Sequence, residues 1–191
     1  MNEDYLKLIQ SDRVSVQTRK VLLDRMQCDY SEYAPTSVTP ELFAVLRAVV
    51  ERLIPQFDSQ DRVEIAAILD ARKTARSGDG WRFADLPPDD VAFASGLRLL
   101  DAAAKRLFGE GFVLIDEAKQ NALLSDLQSG KLGTTELNAS HWFEDILAES
   151  IEIYVSHPAT LARLGFSGIA YLPRWSEIGL NSTRPWESRP T

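Results

Sequence analysis

Residues 141–155, HisTrpPheGluAspIleLeuAlaGluSerIleGluIleTyrVal, constrain the fold more than any other stretch of this chain. Trp142, Phe143, Ile146, Leu147, Ser150 and Tyr154 recur at steps of three and four, the spacing that puts side chains on one face of an α-helix. A helix with so large an apolar face is stable only when that face is covered, so the rest of the chain must supply a core around it. The back of the helix carries Glu144, Asp145, Glu149 and Glu152 and reads as a solvated acidic face. Paired carboxylates act as general acid and base only in a cleft that separates their pKa values, and no cleft is legible here.

The covering elements read as further helices. Leu6 and Ile9, then Val14, Thr18, Val21, Leu22 and Met26, give one or two amphipathic helices over residues 1–29, with Ser11 or Ser15 as N-cap. A loop of about ten residues follows. Thr39, Pro40 and Glu41 then combine a hydroxyl cap, a proline at the first helical position and an early acid, each suited to the unpaired N–H groups of a helix start. Leu42, Leu46, Val49, Val50, Leu53 and Ile54 continue that helix until Pro55 stops it. A second helix is expected over 61–76, rich in alanine and so suited to close packing, and a long one opens at Asp89 and Asp90. Phe93, Leu97, Leu100, Ala104, Leu107 and Phe108 form the stripe of the long helix, and Gly109 ends it. Asp116 is the expected N-cap of a helix to Gln128 whose inward face is Leu123, Leu124 and Leu127. The run Phe112–Ile115 is the one stretch with strand character, and it has no partner strand. The expectation is therefore an all-α fold, a single irregular bundle of about five to seven helices. Residues 1–37 form an N-terminal arm and loop, 38–164 the helical core, and 165–191 an extended aromatic C-terminal tail.

The chemistry legible in the sequence is sparse. A net charge of -7 argues against nucleic acid, whose phosphates demand clustered Lys and Arg. No apolar run is long enough to span a membrane, and the acidic N-terminus shows no export signal. A single cysteine, Cys28, forbids an internal disulfide and Cys-based metal sites, and reads as a small buried hydrophobe. His141 and His157 are the only histidines, and neither sits at a metal-ligand spacing. His157 precedes Pro158 and reads as a polar residue at a helix exit. Walker loops, dinucleotide glycine fingerprints and nucleophile elbows are absent, so no catalytic, cofactor-binding or metal-binding residue is assigned. The tail is different: Phe166, Tyr171, Trp175 and Trp186 stand among glycines, prolines and charges, too aromatic for disorder and too irregular for a helix. Rigid aromatic anchors of that kind favour partner interfaces.

The ordered landmarks Leu53-Ile54-Pro55, Ile68-Leu69-Asp70, Gly96-Leu97, Leu100-Asp101, Phe108-Gly109, Gly111-Phe112, Gln120, Leu123-Leu124 and Phe143 are followed by Ser156-His157-Pro158, GlyPheSerGly at 165–168 and TrpSerGluIleGly at 175–179. Taken together, over 38–187, they resemble the gluconate 2-dehydrogenase subunit 3 family. The resemblance implies a small helical subunit, not itself catalytic, that stabilises and accompanies on export a larger flavoprotein of the glucose-methanol-choline oxidoreductase type. It also implies FAD in that partner, oxidation of a sugar or glucoside there, and electron transfer to a cytochrome c subunit or another acceptor. Many members carry a twin-arginine signal and a GlyGlyAsn segment; here the N-terminus is acidic and the tail reads SerGlyIleAla. A periplasmic home would thus be reached with the partner, and otherwise the chain stays in the cytoplasm. On this reading the candidate partner-binding residues are Trp142, Tyr154, His157, Phe166, Tyr171, Trp175 and Trp186. The competing reading is a stand-alone helical ligand-binding protein, with a pocket lined by Trp142, Tyr154 and Trp175, or an adaptor without a redox partner.

Overall fold

The computed structural model of the chain describes residues 3–57, 61–75 and 83–168. Among them are eight helices and no strand: α1 Glu3–Gln10, α2 Val16–Gln27, α3 Pro40–Leu53, α4 Ile65–Ala75, α5 Asp89–Phe108, α6 Glu117–Gln128, α7 Ala139–Ser156 and α8 Pro158–Arg163. The all-α expectation holds, with one helix beyond the expected range. The helix starts follow from local capping. Ser15 accepts from Thr18 N–H, Thr39 from Leu42 N–H, Asp116 from Lys119 N–H and Asn138 from His141 N–H. α4 begins at Ile65 rather than at residue 61, because Gln56 bonds both the N–H and the carbonyl of Val63 and so takes those groups out of a helix.

α7 lies at the centre of the body, packed on α3, α4, α5 and α6. Trp142 is 2% exposed, and α5 makes room for it at Gly96, where an added Cβ would stand 2.0 Å from the indole. Around it gather Leu46 and Val49 of α3, Leu69 of α4, Leu97 and Leu100 of α5 and Leu127 of α6, all fully buried. The acidic back of α7 is only partly solvated. Glu149 pairs with Lys73 and Glu152 with Arg72 at 2.8 Å, which ties α7 to the basic last turn of α4.

α1 and α2 form a separate small cluster of Tyr5, Ile9 and Leu22, closed by Leu161 and Ala162 of α8. The turn between them is held by Arg19, whose guanidinium donates to the carbonyls of Ile9, Ser11 and Val14. The loop from α2 to α3 is fixed instead by Asp70 of α4, which is 0% exposed. Its carboxylate accepts from the hydroxyls of Tyr33, Thr36 and Ser37 and from the N–H groups of Thr36 and Ser37, at 2.5–3.3 Å. Burial raises the pKa of this carboxyl, but those donors outweigh it and leave the group below its usual value.

Phe112–Ile115, without a partner strand, is a succession of turns, in keeping with the all-α reading. Two local expectations are corrected. Leu107 and Phe108 leave the core, at 52% and 38% exposure. Cys28 is exposed, because α2 ends there in extended backbone and its thiol turns back onto the carbonyl of Asp24 at 3.2 Å.

Candidate functional site

The most deliberate surface feature is the connection between α5 and α6. α5 ends at Gly109 in the left-handed conformation, φ 80°, which glycine adopts without a Cβ penalty. Three residues on, Phe112 is clamped from both sides. Asp101 of α5 accepts its N–H at 2.9 Å, and Gln120 of α6 donates to its carbonyl at 2.9 Å. Gly111 allows this approach, since a Cβ there would meet Asp101 Oδ1 at 2.8 Å. The Phe112 ring is fully buried, so the loop is anchored by side chain and backbone together. The next two residues then point outward: Val113 is 45% exposed and Leu114 74%. With Leu107 and Phe108 they make a run of exposed large apolar side chains on a stiff support. Lys119 stands over the Phe108 ring at 5.6 Å and pairs with Asp116 at 2.8 Å, which raises the lysine's pKa and lowers the aspartate's. Buried polar groups here hold shape, and the apolar groups are the ones shown to solvent. Exposed apolar side chains held in fixed places are a feature that contact surfaces share.

A second feature is a half-open recess of about 220 Å³ where the end of α2 meets α4 and α7. Ile68 and Ile153 line it, with Arg25, Cys28, Tyr30 and His157 among its polar groups. Burial, followed by the neighbouring Cys28, pushes the Tyr30 phenol up to about 12. Every buried side-chain nitrogen and oxygen among the described residues has a hydrogen-bond partner, so none is held unpaired for a ligand. Asp85 and His141 meet at 2.7 Å, with the imidazole stacked on Phe83 at 4.1 Å; this contact joins the start of α7 to the segment before α5.

The structure does not bring the sequence-predicted partner residues to one place. Trp142 is withdrawn from the interface set and from any ligand pocket, because its indole is buried against Gly96. Tyr154 is half-buried against the core, with Arg163 over its ring at 5.5 Å. His157 is both the last cap of α7 and the first of α8, so the helix exit is also an entrance. Phe166 is 49% exposed, and its carbonyl accepts from the Tyr5 hydroxyl at 3.0 Å. Tyr171, Trp175 and Trp186 lie outside the described residues. The clamp of Asp101 and Gln120 was missed as a functional feature. Its signal was the pair of glycines flanking Glu110, which marks a close backbone approach.

Among the described residues the fold is all-helical, and its buried polar side chains are all paired within it. The chain belongs to the gluconate 2-dehydrogenase subunit 3 family, whose model matches residues 40–179. That span takes in α3 to α8 and leaves out α1 and α2. No curated protein and no solved structure gives a match.

Proposed function

We propose that this chain is the non-catalytic small subunit of a dehydrogenase complex, and that it stabilises and accompanies a larger FAD-dependent subunit of the glucose-methanol-choline type acting on a sugar or glucoside. Membership of a dehydrogenase-subunit family supports the reading. The observation that carries it is the clamped loop, which presents Val113 and Leu114 to solvent on a backbone held by the half-buried Asp101 and the buried Gln120. Preorganised apolar surface of this kind lowers the ordering cost of association. On this reading FAD and the reacting sugar belong to the partner, a cytochrome c subunit or another acceptor takes the electrons, and the aromatic residues after Gly165 extend the contact.

The test is affinity purification of the full chain from its own cells, with a flavin absorbance scan and a sugar-dependent dye-reduction assay on the eluate. A larger yellow partner with that activity is expected. Leu114→Asp should lose the partner while leaving the chain's melting temperature unchanged, as surface substitutions usually do within about 0.5 kcal/mol. A colourless, lone 21.4 kDa band would overturn the reading. The recess beside His157 favours the alternative of a stand-alone ligand-binding protein. That alternative requires the purified chain, free of any partner, to bind a small molecule there.

A further inference from the structure

The arm of α1 and α2 is joined to the body through the shortest helix. α8 packs on α2 on one side and on the end of α7 on the other, and it closes the arm's small apolar cluster with Leu161 and Ala162. At the joint between α7 and α8 stands His157, with both ring nitrogens engaged. Ala159 N–H donates to Nδ1 at 3.2 Å, so Nδ1 carries a lone pair. The carbonyl of Arg25, which can only accept, lies 3.2 Å from Nε2, so Nε2 carries the proton. One neutral tautomer satisfies both contacts. Arg25 returns a bond of its own, donating through its guanidinium to the Ser156 carbonyl at 3.0 Å. The end of α2 is thus fastened twice to the joint that starts α8.

We propose that His157 is a proton-sensitive latch, whose neutral ring holds the α1–α2 arm to the body and whose protonation lets the arm go. A proton added at Nδ1 would face the Ala159 N–H, donor against donor, and α8 would lose its N-cap acceptor. The groups around the ring oppose that charge on balance. Arg25 comes from α2, Arg163 from α8 and Arg72 from α4, against Asp24 on α2 and Asp61 ahead of α4; Tyr30 and Cys28 complete the wall. Burial, and after it the two nearest arginines, hold the imidazole below its usual 6.5, against the Arg25 carbonyl and Asp61. A ring kept neutral in the fold binds its proton more readily once released. The latch is therefore at full strength above about 6.5 and weakens as pH falls below that value, until the folded ring itself titrates.

Hydrogen exchange of the full chain, read by peptide at pH 7.5 and 5.5 and corrected for intrinsic exchange rates, tests the device. The expected result is that peptides of α1, α2 and α8 lose protection at pH 5.5 by up to roughly tenfold, the proton-uptake advantage of a freed imidazole one unit below its pKa. Peptides of α3 to α6 should hold. In His157→Asn the side-chain oxygen can still cap α8, but nothing there titrates, so arm protection should be the same at both pH values. Unchanged protection of the native arm, or an equal loss in His157→Asn, would overturn the proposal. Should that variant fail to fold, nitrogen-15 NMR of the native ring decides: an Nε2–H tautomer titrating below 6.5 is expected, and an Nδ1–H tautomer or a value above 6.5 sinks it.

Discussion

The body of α3 to α7 and the arm of α1 and α2 are both helical and both amphipathic, yet they are held in different ways. In the body, one continuous apolar cluster runs through five helices, and single polar side chains fix the segments between them: Asp70, Asp101, Gln120 and Gln56 each bond loop backbone outside their own turn. In the arm, three buried residues meet two from α8, and the fastenings are edge contacts through Arg25, His157 and Tyr5. The family match has the same border, beginning at residue 40, where α3 begins. A fold that depends on shared interior contacts fails as a whole, and one that depends on edge contacts opens locally. Substitutions in the two regions should therefore differ in kind as well as in size.

The largest effect is expected at the contact of Gly96 with Trp142. Gly96→Val would drive a side chain into a buried indole with no free space around it, costing about 3 kcal/mol or more. Trp142→Ala, which leaves a cavity in the same place, should cost about 3 to 5 kcal/mol. Urea denaturation of Gly96→Ala, of Trp142→Leu and of the variant carrying both would show coupling: the double variant should lose less than the sum of its parts, because the smaller residue admits the new methyl. Additive losses would mean that the two side chains do not share one space.

Asp70→Asn comes next. The amide keeps one acceptor but turns a donor toward the donors of Tyr33, Thr36 and Ser37, so a loss of about 2 to 3 kcal/mol is expected. Because the native carboxyl is held below its ordinary value of 3.8, its contribution is complete above that pH and is lost as pH falls through the folded pKa. Acid titration of stability should therefore be shallower in Asp70→Asn than in the native chain, and equal slopes would remove Asp70 as the anchor of the loop. Gln120→Ala, which frees one side of the Phe112 clamp, should cost less, about 1 to 2 kcal/mol, with Leu114 losing its fixed place.

The helices were legible because their signals are local. Thr39 before Pro40, Asp116 before Glu117 and the apolar stripe of α3 each lie within one or two turns. What could not be read depends on contacts beyond a helix turn or on a residue that points two ways. Trp142 suits a core or an interface equally well by type, and only Gly96, forty-six residues earlier (142 − 96), decides for the core. Leu107 and Phe108 continue the period of α5 after the core has ended, because the loop held by Asp101 and Gln120 turns the chain away beneath them. α8 was hidden by Pro158, which stops one helix and starts the next with equal ease.

The smallest effect is expected in the arm, and it tests the comparison most closely. Tyr5→Phe removes one hydroxyl and keeps the ring, which is 6% exposed and packs in the arm's cluster. The partner left behind is the carbonyl of Phe166, a residue that is half exposed, so water can replace the lost donor. The cost should be about 0.5 to 1.5 kcal/mol. Burial raises the Tyr5 phenol above 10.0, so it stays a donor at every pH where the fold is used and the effect should not vary with pH below that range. Since α1 packs chiefly on α2 and on Leu161 and Ala162 of α8, the loss should appear as faster exchange of α1 amides, with the global unfolding midpoint nearly unmoved. If Tyr5→Phe instead lowered the global midpoint as far as Gln120→Ala does, arm and body would be a single cooperative unit. The edge contacts through Arg25 and His157 would then carry far more of the fold's stability than their number suggests.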